Sequence, residues 1–346
     1  MRDGSDIPLS TMEVLALDCQ ATAAAPRGHL LEIGWALVTS AGASAEARVI
    51  AIPAGERVPP AVTRVTGITD RMARSGVEAQ VAWAELSAAA ATLSRQPAPT
   101  IIHFARFEQP FLHQLAAGSA PLDVVCTHAI AERLMPDLPR RTLRALAGYF
   151  GRAVGAMRRS ADHVDATVFV WRELLALLDA RGVSTWDGLK AWLASTAGRA
   201  SRRRRVWPMP PAVRLALPDA PGVYRLLRTS GDVLYVGKAA SLRDRVNSYF
   251  RHQRGVPERM LEMLSQVRRI SFDIAPSALE AALVEPDEIK RHRPPYNIAL
   301  TEIDRRLWFA SRNLTDHRPH ACGPCPLGPF PSAETIEQFA ALVRGS

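Results

Sequence analysis

The chain of 346 residues is longer than one domain of ~100 to 150 residues, so two domains are expected. Hydrophobic residues at 47% and charged residues at 22% fit a soluble globular protein, and no apolar run reaches the ~18 residues of a membrane span. The opening MRDGSDIPLS is acidic and polar where a signal peptide is basic and then apolar, so a cytoplasmic location without a membrane partner is expected.

The net charge of +9 is unevenly placed. Residues 1–181 balance 18 Arg against 18 Asp and Glu, 182–215 hold 7 basic and 1 acidic residue, and 216–300 hold 13 and 10. A polyanion would therefore be held by the middle and the following segment. Lysine is rare beside arginine, appearing only at Lys190, Lys238 and Lys290. Four cysteines are too few and too scattered for a disulfide framework.

In chain order, MEVLALD (12–18) predicts a buried strand with Asp18 at its tip. LEIGWALV (31–38) and ARVIAI (47–52) predict two more strands, and TIIHF (100–104) another. Helices are expected near 77–95, 106–117, 126–135, from 142 to Gly151, and over about 162–181. Strands followed by alternating strands and helices make an α/β layer domain over 8–181. The stretch 182–215, with Arg202, Arg203, Arg204 and Arg205 ahead of Pro208, Pro210 and Pro211, predicts a basic linker that could lie along a phosphate backbone. Beyond it, GVYRLL (222–227) and VLYVG (233–237) flank the turn TSGD as a hairpin. Ser241 can cap a helix that sets Arg245 and Tyr249 on one face, and Ser277 with Glu280 forms a capping box after the strand RISFDI (269–274).

Three blocks in this second region, GVY (222–224), LYVGKAASLRDRVNSYF (234–250) and ALVEPDEIKRHRPPYN (282–297), resemble the GIY-YIG nuclease domain of the bacterial excinuclease and its Cho-type relatives over about 216–300. Phosphodiester hydrolysis needs a metal, an activated water and positive charge at the phosphate. The resemblance implies that Glu285 holds one Mg2+ or Mn2+ ion and that Arg245 stabilises the transition state. It also implies that Tyr224 and Tyr235 orient or deprotonate water, that Lys238 and Tyr249 line the phosphate, and that Asn297 braces the site. Pro286, directly after Glu285, departs from the pattern and is expected to kink the helix and re-aim the carboxylate.

LALDCQ (15–20), EIGWALV (32–38), VTGITD (65–70), HFARFEQPFL (103–112) and DHVDATVFVWREL (162–174) resemble the DEDD exonucleases typified by the epsilon subunit of DNA polymerase III, over about 12–178. That family clusters four carboxylates around two metal ions on a ribonuclease-H-like mixed sheet. Asp18 and Asp165 match, whereas Gln20 stands for the first motif's Glu and Glu108 for a shorter Asp. The family's histidine position is Ser160, with His163 the nearest histidine. If helical, three positions displace a side chain by ~60° and ~4.5 Å, which makes His163 a poor substitute. A degenerate exonuclease domain is thus expected, one that binds DNA or a partner without efficient catalysis.

In the extension 301–346, His317, His320, Cys322 and Cys325 are zinc-type donors, but their crowding into one short stretch favours a reduced surface loop. A helix from 332 is expected to pack on one of the domains. The whole predicts an α/β two-domain nuclease with DNA as partner, open to recruitment by excision-repair or polymerase proteins. The rivals are a 3′ to 5′ exonuclease and a non-catalytic DNA-binding scaffold.

Overall fold

The computed structural model describes residues 7–116, 121–153, 155–195, 206–251, 255–297, 308–318, 323–330 and 333–344. Arg202 to Arg205, His320 and Cys322 lie outside the described residues.

The N-terminal layer is built on β1 (Val14–Ala21), β2 (Leu30–Val38) and β3 (Glu46–Val49), followed by α1 (Pro60–Thr66), α2 (Asp70–Arg74) and α3 (Ala79–Ala91). Then come β4 (Ala98–Ile102), α4 (Ala105–Leu115), β5 (Leu122–Cys126), α5 (Thr127–Leu134), α6 (Leu143–Tyr149), α7 (Ser160–Asp179) and α8 (Trp186–Ala194). The five strands order β3-β2-β1-β4-β5, with β1 antiparallel to β2 and parallel to β4. This is the mixed sheet expected of the sequence. Both faces are covered, so β1 is buried almost throughout, as its continuous apolar run requires. Asp18 is mid-strand and not at a tip, because pairing with β2 continues to Ala21. Its position is nevertheless special, since pairing with β4 ends at Leu17 and Ile102 and leaves Asp18 beside the mouth of the next loop.

Helix α7 crosses the sheet at Gly34, the residue paired with Asp18. A Cβ on Gly34 would meet the Ser160 Cβ at 2.8 Å, so only glycine lets the helix start lie this close. Glu32, fully buried, fixes that start by accepting from the Ser160 amide at 2.8 Å and from Arg159 Nε at 2.9 Å.

The predicted spacer over 182–215 is corrected at both ends. Helix α8 belongs to the N-terminal core through buried Trp186 and Leu189, and Trp186 Nε1 donates to Asp123 at 2.9 Å. At the other end Met209 is buried in the second domain, and α9 (Pro211–Leu215) packs beside it.

The second domain comprises β6 (Gly222–Leu227), β7 (Val233–Ala239), α10 (Leu242–Tyr249), α11 (Glu258–Leu264), β8 (Arg269–Ile274) and α12 (Ala278–His292). Its antiparallel sheet orders β7-β6-β8. The two domains meet where α11 faces the α5–α6 region. The Arg140 amide donates to Ser265 Oγ at 2.9 Å, Thr142 Oγ1 donates to Glu262 at 2.8 Å, and Arg268 lies 4.2 Å from the Tyr149 ring centre.

The extension holds β9 (Trp308–Ala310), β10 (His317–Arg318) and β11 (Leu327–Phe330) in one small sheet, with α13 (Ala333–Arg344) behind it. The terminal helix packs on this sheet, where Phe330 and Phe339 rings lie 6.0 Å apart. Among the described residues, no helix is long and apolar enough to cross a membrane.

Candidate active site

Two cavities collect the chemistry-bearing residues, one in each domain. In the second domain Tyr224 lies on the central strand β6, directly opposite Gly237 on β7. A Cβ at Gly237 would fall 2.4 Å from the Tyr224 hydroxyl, so the phenol fits only because that position has no side chain. The Tyr224 hydroxyl meets the Tyr249 hydroxyl at 2.7 Å, and Tyr235 completes a triangle of rings with centres 6.1 to 6.3 Å apart. Burial, and then the neighbouring phenols, push the Tyr224 and Tyr235 hydroxyls well above the usual tyrosine range. Helix α10 starts at Ser241, whose hydroxyl accepts from the Asp244 amide at 3.2 Å. This cap sets Arg245 on the same face as Tyr249, with its guanidinium 5.2 Å from that ring centre. The tyrosines around Arg245, Tyr249 first, raise its pKa further above the usual arginine value.

Glu285 arrives from α12. Pro286 is accommodated inside that helix, which runs unbroken from Ala278 to His292. The expected re-aiming of Glu285 away from the site does not occur. Glu285 Oε1 accepts from the Lys238 amide at 3.2 Å and Oε2 lies 3.3 Å from Lys238 Nζ. One turn further along, Glu288 ties α12 to the sheet through Arg225, which also reaches Asp273 at 2.8 Å. Arg225 was not singled out from the sequence, and only its place between two acidic partners marks it. Tyr224, Tyr235, Lys238, Arg245 and Glu285 all line one cavity of about 610 Å³. Asn297 sits behind the wall, where its side chain accepts from the Val236 amide and donates to the Val236 carbonyl, both at 2.9 Å.

A hard divalent ion suits this cavity. Mg2+ commonly takes one or two carboxylates and completes its shell with water and substrate phosphate. Glu285 provides one such carboxylate, facing open volume, with only 13% of its side chain exposed.

The N-terminal cavity, about 700 Å³, is lined by Asp18, Gln20, Glu108, His163, Arg144 and Glu262 among others. Asp165 is not among its walls. It is exposed, lines a separate depression with Arg152, and is displaced because α7 turns His163 inward instead. Residues two apart on a helix differ by about 200°, so the two cannot share a face. The expectation that His163 would be a poor fit is thereby corrected. Its Nδ1 lies 3.3 Å from Asp18 Oδ1 and its Nε2 lies 3.3 Å from the Met157 carbonyl. Two acceptors facing the ring favour the imidazolium, the form that donates from both nitrogens. Burial opposes that charge, but the hydrogen bond and charge of Asp18 outweigh it and raise the His163 pKa.

Glu108 is 3% exposed, and its Oε2 has no hydrogen-bond partner. Burial, and secondarily the charge of Asp18, push its pKa up to about 9. Gln20 donates its amide to Asp18 at 3.3 Å. With an amide at Gln20 and Asp165 outside the cavity, the donor set does not fit two metal ions. Among the described residues, His317 and Cys325 included, no three His, Cys, Asp or Glu side chains are grouped to hold a metal. His103, at the cavity edge, bonds Thr127 Oγ1 at 3.0 Å and the Arg141 carbonyl at 3.1 Å, and burial lowers its pKa to about 3. Glu262 was not singled out from the sequence, because it reaches this cavity from the other domain.

Known proteins match the second domain by itself and, in one relative, nearly the whole chain. Residues 220–298 match the family described as the UvrC-like GIY-YIG domain. The second domain is a UvrC-like GIY-YIG domain. Over 101 residues it is 50% identical to UvrABC system protein C of Sphingopyxis alaskensis, covering 29% of this chain and 15% of that protein. A Mycobacterium tuberculosis protein named as a putative bifunctional exonuclease/endonuclease is 31% identical over 336 residues, which is 92% of this chain and 49% of that protein. The chain thus spans about half the length of that relative. The magnesium-bound GIY-YIG domain of UvrC from Thermotoga maritima aligns with 29% identity and a TM-score of 0.24, covering 26% of this chain and all of that domain. Exonuclease X in complex with 5′ overhanging duplex DNA aligns with 15% identity and a TM-score of 0.37, covering 49% of this chain and 93% of that one.

Proposed function

We propose that the chain is a divalent-metal-dependent DNA endonuclease whose UvrC-like domain hydrolyses a phosphodiester bond, with the N-terminal domain as a non-hydrolytic module. The observation that carries this reading is the convergence of Glu285, Lys238, Arg245, Tyr224 and Tyr235 on one cavity, with Tyr249 bonded to Tyr224 behind them. A divalent ion held by Glu285 would supply Lewis acidity at the phosphate and lower the pKa of water. The chain's own residues supply the rest. Arg245, cationic as arginine always is, places charge where the pentavalent phosphate gathers negative charge. Lys238 offers a compact ammonium to a phosphate oxygen. Tyr224 and Tyr235, pushed well above the usual tyrosine range, stay protonated in the free chain and orient water by hydrogen bonding, Tyr224 through Tyr249.

The rival exonuclease reading asks for a two-metal site where Gln20 supplies no charge and Asp165 lies outside the cavity. The name of the mycobacterial relative includes an exonuclease, so a direct assay must distinguish both products. Labelled duplex, flap and adducted DNA, incubated with magnesium or manganese and resolved on denaturing gels, separate the readings. Discrete internal products lost in Glu285→Gln and kept in Asp18→Ala support the proposal. A one-nucleotide ladder lost only in Asp18→Ala overturns it in favour of the exonuclease.

A further inference from the structure

A second cavity of the UvrC-like domain, about 780 Å³, lies on the opposite side of α10 from the catalytic one. Helix α10 is the shared wall. Arg245 lines the catalytic cavity, Arg243 and Asn247 line the second, and Asp244 lines both. The two cavities adjoin at Asp244, so a polymer seated in one can extend to the other.

The composition of this cavity is that of a surface made for a nucleotide strand. Its cations are Arg214, Arg243 and Arg251, against Asp244 as the one lining carboxylate among the described residues. Arg251 is exposed and has no hydrogen-bond or ion-pair partner among the described residues. Arg243 reaches Asp219 at 2.9 Å, but with side chains 46% and 59% exposed this pair is weak and open to exchange for a phosphate. Arg214 is held in place by Asn247 and lies 5.5 Å from the Phe250 ring centre. Trp207 forms an aromatic wall, fixed by its Nε1 bond to the Phe250 carbonyl at 3.1 Å and edge-on to that ring at 5.6 Å. Guanidiniums set around a half-buried indole are the pairing that single-stranded nucleic acid uses, phosphates to cations and bases to π-faces. The volume is within the range of small-ligand sites, and one flank is exposed apolar surface, with Val206 57% and Leu215 58% accessible. In sequence, Val206 directly follows Arg202 to Arg205.

We infer that this cavity is a strand-holding subsite that binds unpaired nucleotides of the DNA being cut, adjacent to the scissile bond. The inference rests on the nuclease reading above, yet binding can be measured without cleavage. It also gives α10 two duties, catalysis from one face and strand placement from the other. A substrate with an unpaired stretch beside the cut would be preferred over a fully paired duplex.

The test uses the full chain carrying Glu285→Gln and a labelled oligothymidylate, followed by anisotropy over a salt series. Arg243→Gln with Arg251→Gln should reduce the steepness of log affinity against log salt by about 1.4, since each lost phosphate contact on a single strand removes ~0.7. An unchanged slope overturns the subsite. Trp207→Phe keeps an aromatic ring in the packing. It should remove a component of the oligonucleotide-induced tryptophan quenching, and an undiminished quench would also overturn the assignment. A partially unpaired duplex bound no better than a blunt one of equal length refutes the role as well. If the unsubstituted chain cuts no DNA with either metal, the nuclease reading fails while the slope and the quench still decide the subsite.

Discussion

Replacing Glu108 by glutamine should stabilise the protein in alkaline solution and leave it unimproved in acid. The carboxyl is 3% exposed, its Oε2 has no hydrogen-bond partner, and its pKa stands at about 9 against an ordinary value of 4.5. Because the folded pKa is the higher one, the stabilising contribution is complete below 4.5 and is lost as pH rises towards 9. Between those limits the unfolded chain has already released a proton that the folded chain retains, so stability falls by about 1.4 kcal/mol per pH unit. Three units above the ordinary value, near pH 7.5, the accumulated cost is on the order of 4 kcal/mol before relaxation of the surroundings. Glutamine removes that titration but buries an amide with few partners, at a cost of roughly 1 to 3 kcal/mol. The net gain at pH 8 is therefore about 2 to 4 kcal/mol, and the sign reverses between about pH 5 and 6.7. Urea denaturation of both proteins at pH 5, 6, 7 and 8, with chelator and with manganese, reads this directly. Equal destabilisation of the variant at every pH would refute the reasoning. So would a manganese-dependent stabilisation of the parent that the variant lacks, because that carboxylate would then be an ionised metal ligand.

Gly237→Ala should disrupt the tyrosine triangle, since the new Cβ meets the Tyr224 hydroxyl at 2.4 Å; a loss of about 1 to 3 kcal/mol in thermal unfolding, with loss of cleavage, is expected. Asn297→Ala removes both bonds to Val236 and should cost about 1 to 3 kcal/mol while lowering cleavage, checked by melting and single-turnover assays. Arg245→Lys keeps the charge but loses the planar fork beside Tyr249, so cleavage should fall by about 10²-fold or more with the circular dichroism spectrum unchanged. Glu262→Ala leaves the Thr142 and Tyr296 hydroxyls without their acceptor, and calorimetry should show the two domains melting further apart in temperature.

Local chemistry made much of this protein readable from its residues in order. The β6–β7 hairpin, the Ser241 cap and the Ser277 cap are set by neighbours a few positions away. With those elements in place, Tyr224, Tyr235, Lys238, Arg245 and Tyr249 fall within reach of one another, and Glu285 needs only a helix packed on the sheet. Tertiary structure decided what depends on phase and on distant partners. Glu32 and Gly34, more than a hundred residues before α7 in sequence, set where that helix begins on the sheet, and the start determines that His163 and not Asp165 meets Asp18. Trp186 joined the first domain because Asp123 accepts its indole proton, which no linker-like composition could disclose. Pro286 is tolerated because the salt bridge from Arg225 to Glu288 and the contact of Glu285 with Lys238 hold α12 against the sheet on either side of it. The residue types determined which chemistry the chain carries. Packing decided which side chain of α7 faces Asp18, because a helix turned by two residues exchanges a carboxylate for an imidazole.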